Sequence, residues 1–159
     1  METTIGKKIA FSADLPATKT ETSVTQIQSA SGGEEQISSQ ALPLLLYVED
    51  DDICQRIVEK FLRGICELEF TKTGPEALEL ANITLYRGFL MDIHISGMDG
   101  KQVTKELRKL PQYATTPIIA VTASALKGDK ENFIEAGCTD YISKPFSRDE
   151  LVSLIKRYL

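Results

Sequence analysis

Residues 89–100 read FLMDIHISGMDG. The apolar run stops at Asp92, and a second carboxylate, Asp99, stands directly before Gly100. With the preceding glycine, GFLMDI (88–93) has the continuous apolar character of a strand buried on both faces, as in a parallel sheet. Burying a carboxylate without a partner is costly. A strand of this kind that ends in an acid therefore either opens onto a site or delivers the acid to a specific partner.

Strand and helix signals alternate on both sides of this stretch. LLLYV (44–48) is a second short apolar run, CELEFT (66–71) alternates, PIIAVTA (117–123) is apolar throughout, and YIS (141–143) is a short fifth strand. Between them lie predicted helices. Residues 52–63 carry Ile53, Ile57, Phe61 and Leu62 at helical spacing, and 74–81 begins with Pro75 near the first turn, where a missing N–H does no harm. Residues 100–110 place Val103, Leu107 and Leu110 on one face, and 127–136 stops at Gly137. Ser147 and Glu150 form a capping-box pattern for a last helix over 148–158. Five strand–helix units in succession predict an α/β fold, a single doubly wound parallel sheet with helices on both faces. Ligands of such sheets bind at the carboxyl ends of the strands.

Composition narrows the function. The 159 residues are 42% hydrophobic and 26% charged with a net charge of −5, and no block of Lys and Arg stands out. A direct nucleic-acid footprint is therefore not expected. The three cysteines, Cys54, Cys66 and Cys138, include no CxxC pair and read as free thiols of a reducing cytoplasm. No run approaches the ~20 apolar residues of a membrane span. Residues 17–40 are rich in Ser, Thr, Gln, Gly and Glu and lack aromatic residues, so a flexible linker is expected over 17–42, between a tail (1–16) and a folded domain (43–159).

The strand ends carry the chemistry. The first strand is followed by Glu49, Asp50, Asp51 and Asp52; the third ends in Asp92, the fourth in Thr122, and the fifth is followed by Lys144 and Pro145. In a parallel sheet these ends share one edge. Clustered carboxylates repel one another, and a hard cation such as Mg²⁺ relieves the conflict. Asp92 could then attack phosphorus as an ionised nucleophile, giving an acyl phosphate, with Lys144 and Thr122 holding the transferred oxygens. For any one acid the simpler role is a helix cap, and Asp51 or Asp52 fits that role. The ordered set is more specific than any member.

Four motifs together resemble the response-regulator receiver domain of two-component phosphorelay systems: YVEDDDICQRIV, LMDIHISGMDG, PIIAVTAS and GCTDYISKPF. The resemblance implies a (βα)5 flavodoxin-like fold with strand order 2-1-3-4-5. It implies that Asp92 is phosphorylated and also ligates Mg²⁺, that Asp50 is a direct ligand, that Glu49 acts through water and that His94 contributes its backbone carbonyl while its ring faces solvent. Thr122 would bind the phosphoryl oxygen once its loop closes, Tyr141 would be the switch aromatic, Lys144 would pair with the phosphoryl group, and the bond to Pro145 would be cis. Two departures stand out. Ile95-Ser96 replaces the frequent Met-Pro, and Asp51 stands where Asn is frequent.

The implied donor is a histidine kinase or a histidine phosphotransfer protein, because His94 is the only histidine in the sequence. With no DNA-binding output expected after Leu159, the expected output is a downstream effector protein, a phosphotransfer histidine or the kinase itself; a homodimer is compatible with the resemblance. Residues 5–16, IGKKIAFSADLP, also resemble the last strand of a histidine-kinase ATP-binding domain, with Gly6, Phe11, Leu15 and Pro16 in register. That would make the chain the C-terminal part of a hybrid sensor kinase. Two other functions compete. An aspartyl-phosphate phosphatase usually has a second Asp where His94 stands, and a non-phosphorylated interaction module would normally lose an acid, the Thr or the Lys.

Overall fold

The computed structural model describes residues 41–124, 126 and 128–159. The expected tail (1–16), with its kinase-like strand, and all of the expected linker except residues 41 and 42 lie outside the described residues.

Five strands and five helices alternate: β1 (Leu44–Val48), α1 (Asp52–Leu62), β2 (Glu67–Thr71), α2 (Gly74–Ile83), β3 (Gly88–Asp92), α3 (Gly100–Arg108), β4 (Ile118–Thr122), α4 (Asp129–Glu135), β5 (Asp140–Ser143) and α5 (Arg148–Tyr158). A single 3-10 turn, Pro111–Tyr113, joins α3 to β4. The sheet order is β2-β1-β3-β4-β5, and every pairing is parallel. This is the flavodoxin-like arrangement.

Each face of the sheet has its own core. Leu46, Val48, Phe89, Met91, Ile118 and Ala120 meet α2, α3 and α4 through Ala77, Val103, Leu107 and Phe133. On the opposite face Leu45, Tyr47, Leu90, Ile119 and Val121 meet α1 and α5 through Val58, Leu62, Leu151 and Ile155. Residues pointing alternately to two covered faces are why β3 and β4 read as unbroken apolar runs.

Helix α1 forms where its spacing predicts, and Leu62 is buried as expected, but its buried partner is Val58 rather than Ile53 or Ile57. Val58 and Leu62 face the sheet, whereas Ile53 is 68% and Ile57 44% exposed. Consecutive residues of a helix lie about 100° apart, so only one of the two adjacent i, i+4 rows can face the sheet squarely.

At the amino ends of β4 and β5 one half-buried guanidinium ties several segments together. Arg108, the last residue of α3, donates to the carbonyls of Tyr113, Thr116 and Gly137 and to Thr139 Oγ1. Thr139 Oγ1 in turn accepts from the Ile118 N–H at 3.1 Å.

Candidate phosphoacceptor site

Parallel register brings the carboxyl ends level. Val48 lies opposite Met91, Asp92 opposite Val121 and Thr122 opposite Ser143. Glu49, Asp50, Asp92 and Lys144 therefore converge at one edge, near the point where the chain order reverses around β1 and β3.

Asp92 is 5% exposed, and both its carboxylate oxygens have donors. Oδ1 accepts the His94 backbone N–H at 2.8 Å. Oδ2 accepts from Lys144 Nζ at 2.8 Å. The same ammonium reaches Glu49 Oε2 at 2.6 Å, which also accepts the Tyr47 hydroxyl at 2.7 Å. The Asp51 N–H approaches Glu49 Oε1 at 3.2 Å. A hydrogen-bonded chain thus runs from a fully buried tyrosine, through Glu49 and Lys144, to Asp92.

Burial shapes the protonation of this chain. It raises the Glu49 carboxyl above its ordinary value, against the lowering pull of Lys144 and Tyr47. Burial also works to lower the Lys144 pKa, but the hydrogen bonds to Asp92 and Glu49 outweigh it and hold the ammonium above the usual lysine range. The Tyr47 phenol is pushed up by burial and by its bond to Glu49. Lys144 is therefore a fixed cation at neutral pH.

Asp50 is only half-buried. Its Oδ2 accepts the Ser96 hydroxyl at 2.7 Å and the Ser96 N–H at 3.3 Å. Carboxylate oxygens of Glu49, Asp50 and Asp92 all lie within 4.8 Å of one another. One ammonium cannot neutralise three carboxylates, and the set offers only hard oxygen donors, which suits Mg²⁺.

The neighbouring residues take these positions. The His94 ring is exposed. Thr122 is buried, and its hydroxyl donates to the Ser124 carbonyl at 2.7 Å while accepting the Ser124 N–H at 3.1 Å. Among the described residues it makes no bond to the acidic cluster. Tyr141 is half-buried, packed against the core on the α2–α4 face, with its ring 5.8 Å from that of Phe133. The Lys144–Pro145 peptide is cis.

Helix caps and a glycine fix the loop around Asp92. Asp51 caps α1, accepting the Ile53 N–H at 2.7 Å. Asp99 caps α3, accepting the Lys101 N–H at 2.7 Å. The Gly100 N–H closes the intervening loop on the Ile93 carbonyl at 3.1 Å, and a Cβ on Gly100 would collide with the Asp92 carbonyl. All three thiols are free, and burial pushes Cys66 up to about 11.

Sequence reasoning missed Tyr47 as a site residue and gave Ser96 no role there. Tyr47 lies two residues before Glu49, which on a strand means the same face, so period-two reading could have found it. Ser96 meets a partner 46 residues away, and no local pattern announces that contact.

Known proteins resemble this chain in sequence and fold. The response regulator receiver domain family matches residues 45–156. The polar-differentiation response regulator DivK of Brucella abortus is 37% identical over 116 residues, covering 72% of this chain and 94% of DivK. Hybrid signal transduction histidine kinase L of Dictyostelium discoideum is 35% identical over 132 residues, 79% of this chain, which spans only 8% of that protein's length. Among solved structures, the receiver domain of sensor histidine kinase PA1611 from Pseudomonas aeruginosa PAO1 has a magnesium ion coordinated in its active site cleft. It is 37% identical, with a TM-score of 0.69, covering 74% of this chain and 98% of that one. Chemotaxis protein CheY4 of Vibrio cholerae aligns with a TM-score of 0.71 at 28% identity, covering 75% and 100%. A match through all five strand–helix units, with DivK alike along nearly its whole length, makes this chain a member of the response regulator receiver domain family of two-component signalling.

Proposed function

We propose that the chain accepts a phosphoryl group on Asp92 and changes shape to control a partner protein. The observation that carries this reading is the Asp92 carboxylate itself. It stands at a strand end with its oxygens oriented by Lys144 Nζ and the His94 N–H, inside a cluster of three acids. In the transfer, an Asp92 oxygen bonds to phosphorus as the bond from phosphorus to a donor histidine nitrogen breaks. The leaving imidazole keeps the electron pair and takes up a proton.

Glu49, Asp50, Asp92 and the His94 carbonyl are the groups that would hold Mg²⁺, which when bound neutralises charge on the phosphoryl oxygens. Lys144 supplies a second, permanent positive charge beside Asp92 and moves to the new phosphoryl group as Asp92 loses its own charge. Thr122 leaves Ser124 to donate its hydroxyl to a phosphoryl oxygen, and Tyr141 follows the displaced β4–α4 connection.

The donor would be a histidine kinase or a histidine phosphotransfer protein. An apolar groove between α1 and the Pro145–Phe146 turn, lined by Cys54, Ile57 and Val58, runs beside Lys144. With Ile53 and Ile57 exposed next to it, a protein donor has apolar surface to seat upon close to the acceptor. The reading also implies a cytoplasmic location; among the described residues no helix is long and apolar enough to cross a membrane.

Intact-protein mass after incubation with Mg²⁺ and a small acyl phosphate tests the proposal. One added phosphoryl group that needs Mg²⁺ and is missing in Asp92→Asn is the expected result. An adduct of the same size on Asp92→Asn would overturn the assignment of the acceptor.

A further inference from the structure

Ser96 occupies the position where the family pattern often has proline, in the loop between β3 and α3. Proline has neither an N–H nor a hydroxyl, yet Ser96 uses both. Its Oγ donates to Asp50 Oδ2 at 2.7 Å and its N–H reaches the same oxygen at 3.3 Å. Among the described residues these are the only hydrogen bonds between the loop 93–99 and the acidic loop that follows β1.

The three acids are held in different ways. Glu49 and Asp92 share Lys144; Glu49 also accepts from Tyr47 and the Asp51 N–H, and Asp92 from the His94 N–H. Asp50 has no contact with Lys144 among the described residues, and Ser96 supplies both its donors there. Without them its carboxylate, half-buried at the rim, would be free to rotate. The two bonds occupy Oδ2 and leave Oδ1 without a protein donor among the described residues.

We propose that Ser96 is a positioning residue for Asp50, holding the carboxylate in one orientation so that Mg²⁺ meets a preset oxygen rather than a rotating one. The inference rests on the Mg²⁺ reading of the acidic cluster given above. It assigns to this chain a polar support for that ligand in place of a rigid proline. Hydrogen-bonding partners of metal-ligating groups typically change metal affinity by roughly 10–100-fold.

Calorimetric titration of the full chain with MgCl₂ tests this, using wild type, Ser96→Ala and Ser96→Thr, each checked for unchanged unfolding temperature in EDTA. Ser96→Ala should bind Mg²⁺ about tenfold more weakly, and Ser96→Thr, which restores the hydroxyl, should lie close to wild type. Equal affinity in wild type and Ser96→Ala would overturn the inference. So would tighter binding by Ser96→Ala, which would make the hydroxyl a competitor of the cation, or a Ser96→Thr variant as weak as Ser96→Ala. A wild type that takes up no Mg²⁺ would remove the Mg²⁺ reading of the cluster and this inference with it. That outcome is told apart from the others by the silence of the wild type itself.

Discussion

Glu49 is 1% exposed, and its buried carboxylate is tolerable because three groups donate to it. Tyr47 contributes one bond from the sheet interior at 2.7 Å. Tyr47→Phe removes that donor without changing the packed volume, and hydrogen bonds to charged groups contribute about 1.5–3 kcal/mol. Urea unfolding should therefore show a loss of about 2 kcal/mol, and the loss should shrink when Glu49→Gln is already present. Lys144→Met leaves Glu49 and Asp92 near-buried without their cation, which should cost roughly 3 kcal/mol in EDTA, with part recovered on adding Mg²⁺. The folded-state pKa of Lys144 lies above its ordinary value of 10.5. Its stabilisation is thus full below that value and is lost as pH rises through the higher folded value. The difference between wild type and Lys144→Met should accordingly stay level on the alkaline side of neutrality and close only above the ordinary lysine range. Asp50→Asn should do the reverse in EDTA. Relieving one of three charges within 4.8 Å should stabilise the metal-free chain by ~1 kcal/mol and remove the Mg²⁺-dependent rise in unfolding temperature.

The elements were legible because their signals are local. Strand ends fall within a residue of the apolar runs, and α5 starts at Arg148, directly after Ser147 and with Glu150 in its first turn. Both halves of that capping box are made: Ser147 Oγ accepts the Glu150 N–H at 3.2 Å, and Glu150 accepts the Ser147 N–H at 2.8 Å. Ser147→Ala should cost about 1 kcal/mol in urea unfolding at neutral pH. The bond from the Ser147 N–H, with a smaller contribution from its hydroxyl, holds the Glu150 carboxyl below its ordinary value. That contribution is present above the unfolded-state value of 4.5 and is lost as pH falls through the lower folded one; Glu150→Gln should abolish this acid dependence. Which row of α1 is buried was not legible, since Ile53–Ile57 and Val58–Leu62 are equally apolar and only the sheet decides between them. Nor was the Ser96–Asp50 contact, because nothing near Ser96 in the chain encodes the position of a loop 46 residues earlier.

Across the whole molecule, the proposed switch requires the free arrangement to differ from the phosphorylated one. Thr122 spends its hydroxyl on Ser124 at 2.7 Å, so binding a phosphoryl oxygen would mean giving up that bond. The population shift can be only as large as the difference in contacts between the two states. Thr122→Ala should still form the Asp92 adduct by intact mass. Its ¹H–¹⁵N spectrum should lose most of the changes that beryllofluoride, a phosphoryl mimic, produces at Ser124 and Tyr141 in wild type. The opposite ends of β4 and β5 are tied down. There Arg108 grips the entries of β4 and β5 through four acceptors, while the exits of the same two strands carry Thr122 and Lys144. In mechanical terms the guanidinium is a fulcrum. With those entries pinned, a push at the site should emerge as a tilt of the β4–β5 edge rather than as a sliding of strands, with the longest travel expected at the loops farthest from Arg108.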